Sequence, residues 1–557
     1  MRHLVSGILL IFAFSSVNVR ADVPYPDMPD WWSVEDSDYG TGADFADVNG
    51  DGYLDLAISN GNDIVAAPNY VYINDNGLLP NTATWVSDDY SFSGHCEFGD
   101  VDGDGFPELM VANYISAGWQ PGNVQIYDNQ NGVLATTPTW VSQNSIYSFR
   151  ATFGDADGDG DLDLAVATGE AYHDIYERNL IYFNNNGTLE TTPGWYSTYY
   201  DASYDVQFVD IDNDRDLDLA FLAGPGPVKI HFNNDGVIET EPSWTSAASD
   251  NGNSFDFADV NDDGFFDLGV ANNFQSGGTG QFKIYYSDSG VLNNVAGWSS
   301  ATGGYGSEAV FCDLDNDSQE DFIGGRWWGL VQVYLNDSGQ FATLPDWTTN
   351  PSFEPVIENI VFADIDNGQN VPMSLSERAD GQRKLFYLGN RHLQEVSAVV
   401  ADGLALPTSS YCYHLKNGWV ALASAPVDSV RVQYQVSFHK DMAVSNWDGP
   451  AFIYLNDSLT PVPPEDTALV AMDLRSEVFP NPFNAHTSIR YNLPRASLVQ
   501  LDIFNTDGKR IQTLVREQQT AGSQTVTWDA ASAASGVYFY KLQYAGGTQT
   551  GKLTLVK

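Results

Sequence analysis

Basic residues, cysteines and familiar catalytic signatures are all scarce in this chain. Only 24 of 557 residues are Lys or Arg, against 74 Asp and Glu, giving a formal charge of −50. A surface of that sign repels phosphate, which excludes nucleic acid and anionic lipid as partners and favours divalent cations. Three cysteines, Cys96, Cys312 and Cys412, are too few for a disulfide framework and read as buried small hydrophobes. The eight histidines lack metal-ligand spacing, and no GxSxG, HExxH or phosphate-loop pattern occurs. Beyond the N-terminus no segment approaches the ~20 apolar residues needed to span a bilayer. The N-terminal stretch itself, with Arg2 and His3 before an apolar run over 4–17 and a small-x-small pattern ending at Ala21, reads as a signal peptide over 1–21. An uncleaved anchor is the rival reading, disfavoured by the short apolar run. No transmembrane segment is expected after its removal.

What the chain has instead is repetition. Residues 45–59 (FADVNGDGYLDLAIS) recur from Phe98, Phe153, Phe208, Phe257 and Phe311, with a degraded copy from Phe362. The leading acids are Asp47, Asp100, Asp155, Asp210, Asp259, Asp313 and Asp364, 49 to 55 residues apart. Each unit offers four short strands: one ending in the Phe, an apolar run after the acid loop, a third closing in an Asn/Asp/Gly turn, and a fourth around a Trp such as Trp85 or Trp140. Four strands per ~50 residues without helical periodicity predict an all-β, seven-bladed propeller over 22–460; a solenoid needs fewer strands per repeat. The last unit lacks its Trp strand, while an unpaired one, Trp31-Trp32, stands at the start, so the N-terminus is expected to complete blade seven. That blade is interrupted at about 368–440 by a segment with its own strand patterns, expected to be a small inserted β domain.

The repeated loop is D-x-[DN]-x-D-G-x-x-[DE]. Calcium takes six to eight oxygens, and alternate positions of a tight loop can aim them inward. The expected ligands are Asp47, Asn49, Asp51, the Tyr53 carbonyl and Asp55 in the first copy, and Asp100, Asp102, Asp104 and Glu108 in the second. The third supplies Asp155, Asp157, Asp159 and Asp163, and the fourth Asp210, Asp212, Asp214 and Asp218, with Arg215 in place of Gly. The fifth supplies Asp259, Asn261, Asp263 and Asp267, and the sixth Asp313, Asp315, Asp317 and Asp321, with Ser318 in place of Gly. Asp/Asn/Gly runs also form plain turns, but six sets of acids in register would repel one another without a cation. Up to six structural calcium ions are expected, bringing −50 to −38. The seventh copy has Gly368 at the fifth position and is not expected to bind.

These loops resemble the FG-GAP/VCBS repeat family, seen in the propeller of integrin α subunits and in bacterial surface proteins. The resemblance implies a calcium-stapled propeller for adhesion or ligand binding, and no reaction. After a Pro- and acid-rich linker (461–475), residues 476–557 carry PNPFN at 480–484, SGVYFY at 535–540 and a basic end. This resembles the C-terminal sorting domain of type IX secretion cargo, implying a β-sandwich that engages that machinery and delivery to the surface of a Gram-negative cell or beyond.

In such a blade the acid loops and Asn/Gly turns share one end. The loops at the other end are rich in aromatics: Trp119, Tyr172, Tyr176, Trp327, Trp328 and Trp447, and between blades Tyr90, Tyr147, Tyr199, Tyr200 and Tyr305. Of these, Trp119, Tyr172, Trp327, Trp328 and Trp447 are the candidate contacts for an extracellular glycan or protein ligand; sealing of a central channel is the plainer alternative. No enzymatic activity is expected. The rival readings are a polysaccharide lyase or glycoside hydrolase on the same scaffold, and a purely structural surface component.

Overall fold

A computed structural model describes residues 23–456 and 477–556, apart from 27, 36–38, 248–249, 289, 351–353, 367–369, 480, 482, 494–496, 506–508, 520–521, 531–532 and 545–546. The expected leader and linker, and Gly368, lie outside the described residues. No helix among these residues is long and apolar enough to cross a membrane.

Seven antiparallel sheets follow the repeats, six of four strands and that of the second repeat with a fifth, Gln120–Pro121, added. Blade one is Gly40–Ala46, Asp55–Asn60, Tyr70–Tyr72 and Trp85–Val86. Blade three, Ala151–Gly154, Asp163–Val166, Leu180–Tyr182 and Trp195–Tyr196, repeats the order. Each innermost strand touches that of the next blade, from Gly40–Ala46 round to Ile357–Ala363 and back, so the ring is closed. Blade seven joins Ile357–Ala363, Asp441–Asn446, Phe452–Tyr454 and the N-terminal Trp31–Trp32, with Trp31 opposite Ile453 and Trp32 opposite Phe452. The first and last strands of the chain's propeller thus share one sheet, which removes two open edges.

The apolar cores lie between blades. One buries Phe45, Leu56 and Tyr72 of blade one against Ala443 and Ile453 of blade seven. Two polar contacts recur at these seams. The indole of Trp85, Trp140, Trp195, Trp244 and Trp298 donates to a carbonyl of the following blade, at Leu134, Leu189, Ile238, Leu292 and Phe341 respectively, over 2.8 to 3.2 Å. The Asn that ends the third strand bridges two acid loops. Asn184 Nδ2, for example, donates to Leu162 O of its own loop (3.2 Å) and to Val101 O of the preceding one (2.8 Å). Asn74, Asn129, Asn233 and Asn336 do the same.

The insertion forms two small sheets. Asn370–Arg378, Ser429–Ser437, Glu395–Ala401 and Leu404–Ala405 make one; Leu385–Tyr387, Trp419–Leu422 and Tyr411–His414 make the other. Its Trp419, Leu385 and Ala421 share a core with Ala156 and Leu162 of blade three. It covers the acid-loop end of the ring. Thr408 Oγ1 donates to Gly103 O (2.7 Å), Lys384 Nζ to Gly158 O (2.5 Å), and Arg391 grips Asp256 through both carboxylate oxygens (2.9 and 2.8 Å). The C-terminal segment is a separate β-sandwich. A sheet of Glu477–Phe479, His486–Leu493 and Gly522–Asp529 joins a four-stranded one, Arg510–Gln519, Ser497–Asn505, Gly536–Tyr544 and Gly547–Leu555. Their shared core holds Trp528, Leu501 and Tyr540.

Candidate functional site

The acid loops have one geometry. In the first, Asp47 Oδ1 accepts from the Gly50 and Asp51 N–H groups, Asp47 Oδ2 from Gly52 N–H, and Asp51 Oδ1 from Tyr53 N–H (2.8 to 3.0 Å). Asn49 Oδ1 accepts from Asp51 N–H at 2.9 Å. Asp55 opens the second strand, buried, and accepts from Val48 N–H (2.9 Å) and Asn74 N–H (2.7 Å). The same contacts recur in the fifth loop, where Asp259 accepts from Asp263 and Gly264, Asn261 from Asp263, Asp263 from Phe265, and Asp267 from Val260 and Ser287. The turn needs a positive φ. Gly52 supplies it at +90°, while Arg215 and Ser318 hold +86° and +70° at the same position. Arg215 is tied by an ion pair to Asp380 of the insertion (2.5 Å).

Four loops bring three carboxylates together, with oxygens within 4.8 Å: Asp100, Asp102 and Glu108; Asp155, Asp157 and Asp163; Asp210, Asp212 and Asp218; Asp313, Asp315 and Asp321. These clusters can hold a metal ion. The fifth-position acids Asp104, Asp159, Asp214 and Asp317 lie outside these groups and accept from the N–H two residues on. Burial, reinforced by the neighbouring acids, holds the closing carboxyls far above their ordinary range: Asp55 and Asp267 at about 7, Asp218 at about 8 and Glu108 at about 9. Asp163 and Asp321 move in the same direction. Close, desolvated like charges of this kind are what a divalent cation relieves.

At the opposite end a cavity of about 380 Å³ lies on the ring axis. Trp119, Tyr172, Trp327, Trp328 and Trp447 all line it, joined by Tyr114, Phe149 and Tyr204. Every blade contributes. Trp119 and Trp328 are 40% and 54% exposed and sit at φ +58° and +48°. A left-handed backbone is costly for a bulky side chain, and such strain concentrates at functional sites. The between-blade tyrosines are not in the cavity lining; Tyr90 and Tyr200 lie exposed outside it, and Tyr147 props the rim by donating to Trp119 O (3.1 Å).

The inner strands explain the cavity's shape. Counting back three from each repeat's Phe gives Gly42, His95, Arg150, Asp205, Ser254, Glu308 and Asn359, a layer around the axis joined by contacts across the ring. Arg150 crosses the channel and donates to Asp205 (2.8 Å), Glu308 (2.9 Å), Ser254 (3.3 Å) and His95. This polar layer floors the cavity. The residue before it is skipped by the strand pairing in blades one, four, five, six and seven, a β-bulge that re-aims its side chain. Four of the bulged residues, Thr41, Tyr204, Asn253 and Glu358, line the cavity. Sequence reading missed Glu358, and missed Asp63 in the loop of blade one. Burial pushes the Glu358 carboxyl up to about 8, with the Trp327 indole beside it easing the shift and Asp63 and Glu308 adding to it. The signal was the fixed offset from the repeat Phe.

FG-GAP-like repeats are matched at residues 47–111 and 210–270, and a secretion system C-terminal sorting domain at 477–556. Among curated proteins none matches. Similar solved structures include the Pseudomonas aeruginosa periplasmic gluconolactonase PpgL, at 16% identity and a TM-score of 0.38, covering 56% of this chain and 85% of that one. Another is BBS1N crystallised in complex with ARL6DN, at 11% identity and a TM-score of 0.34, covering 66% of this chain and 92% of that one. The chain therefore carries FG-GAP-like repeats in an all-β propeller and ends in a type IX sorting domain, which marks it as an exported protein of the outer-membrane surface or the extracellular space.

Proposed function

We propose that this is a calcium-stapled binding protein without enzymatic activity, which takes a glycan or protein ligand in the axial cavity. The observation that carries the reading is convergence. Five aromatics drawn from four separate loops meet in one cavity lined by all seven blades. Up to six calcium ions at the acid loops would hold the ring rigid at the other end, and a preorganised wall of rings limits the entropy lost on binding. The covering insertion makes the acid-loop end a poor entrance, which leaves the aromatic mouth to the ligand.

A second reading, a glycan-cleaving enzyme, is favoured by one specific feature. Glu358, its carboxyl pushed up to about 8 by burial, shares the cavity with Asp63, and two carboxyls in one site are what glycoside hydrolysis uses. A glycan array on the purified, calcium-loaded chain, followed by a reducing-sugar assay on each hit, separates the two. Retention without new reducing ends supports a binding protein. Release of reducing ends that is lost in Glu358→Gln assigns an enzyme.

A further inference from the structure

The axial cavity is unusual in its charge. Among the described residues, its walls carry aromatic rings and two carboxyl groups, Glu358 and Asp63, and no Lys, Arg or His. Glu358 is 4% exposed, and Asp63 Oδ1 is buried without a hydrogen-bond partner. Arg150 in the floor is committed to Asp205 and Glu308 at 2.8 and 2.9 Å, and its charge offsets the burial of Glu358 only in small part. The face of an aromatic ring carries negative quadrupole, and Trp is the strongest of them for a cation. A bulge places Glu358 here, where a regular strand would turn it away.

We propose that the ligand of this cavity carries a compact ammonium group, seated on the faces of Trp119, Trp327 and Trp328 and paired with Glu358 and Asp63. The proposal rests on the reading that the cavity is the ligand site. A cation supplies what the two carboxyls lack, and it is drawn in by a chain whose net charge is −50. A neutral sugar could stack on the same rings, but only a cation would draw the Glu358 carboxyl, pushed up by burial, into its charged form.

The test titrates the full, calcium-loaded chain by intrinsic tryptophan fluorescence with two matched pairs of probes. Choline is compared with 3,3-dimethyl-1-butanol, its uncharged isostere, and glucosamine with glucose. At least one charged probe should bind about tenfold or more tighter than its neutral partner. Glu358→Gln should remove that preference. The pair that responds tells a quaternary ammonium from an amino sugar. Equal binding within both pairs, or no binding of either charged probe, overturns the proposal. Neutral glycan binding that disappears in Trp328→Ala would overturn the charge assignment while keeping the cavity as the ligand site. Glycan binding indifferent to Trp328→Ala would sink both.

Discussion

Closure of the ring by the N-terminal segment can be tested at Tyr25. This residue precedes the closing strand and is 6% exposed. Its ring packs 5.7 Å from Trp347 and 6.3 Å from Tyr454, in a core shared with Val310, Leu314 and Phe452. Its hydroxyl donates to Lys440 O at 2.6 Å, across 415 residues of chain. Tyr25→Phe removes the hydrogen bond alone and should cost about 0.5–1.5 kcal/mol. Tyr25→Ala also empties an aromatic site between blades six and seven and should cost about 3–5 kcal/mol. Val34→Ala, at a residue 56% exposed in the same segment, should stay within about 0.5 kcal/mol. Urea unfolding of the full chain in calcium, followed by near-UV circular dichroism, measures all three. If Tyr25→Ala fell within about 0.5 kcal/mol of wild type, the segment would not be holding the ring shut and the closure argument would fail.

Asn184→Ala should destabilise by about 2–4 kcal/mol in the same assay, because the Leu162 and Val101 carbonyls both lose a buried donor. Ser318→Gly should stabilise by about 1 kcal/mol by relieving a positive φ, provided the loop keeps its shape. In excess chelator, Asp55, Asp210, Asp267 and Asp313, each pushed from 3.8 to about 7 chiefly by burial, favour the folded state only while protonated. Melting temperature should then fall as pH rises from about 4 to about 7, and added calcium should reverse that slope. Deleting residues 477–557 should leave a folded propeller in the periplasm, and surface delivery of the truncated chain would contradict the assignment of the sorting domain.

Much of this architecture is legible because the chain repeats. The offset between Phe45 and Asp47, repeated around the ring, identifies the strand ends and the acid loops together. The spare Trp31-Trp32 strand foretells closure, since an unpaired edge is costly. Other features resisted reading for physical reasons. Glu358 faces the cavity through a bulge, which breaks the alternation on which strand reading depends. Asn184 looks like a turn residue, and only the juxtaposition of two blades reveals its second carbonyl. The insertion's role at the acid-loop end rests on single long-range contacts such as Thr408 to Gly103, which leave no periodic trace.

The most direct measurement is ligand binding by the triple variant Trp119→Ala, Trp327→Ala, Trp328→Ala, taken alongside its thermal unfolding with and without calcium. The account predicts that binding of any ligand held by the wild-type chain is abolished while melting still drops on chelation. Binding that survives the triple change, and is lost instead when the acid-loop end is altered, would place the site on the wrong face of the ring.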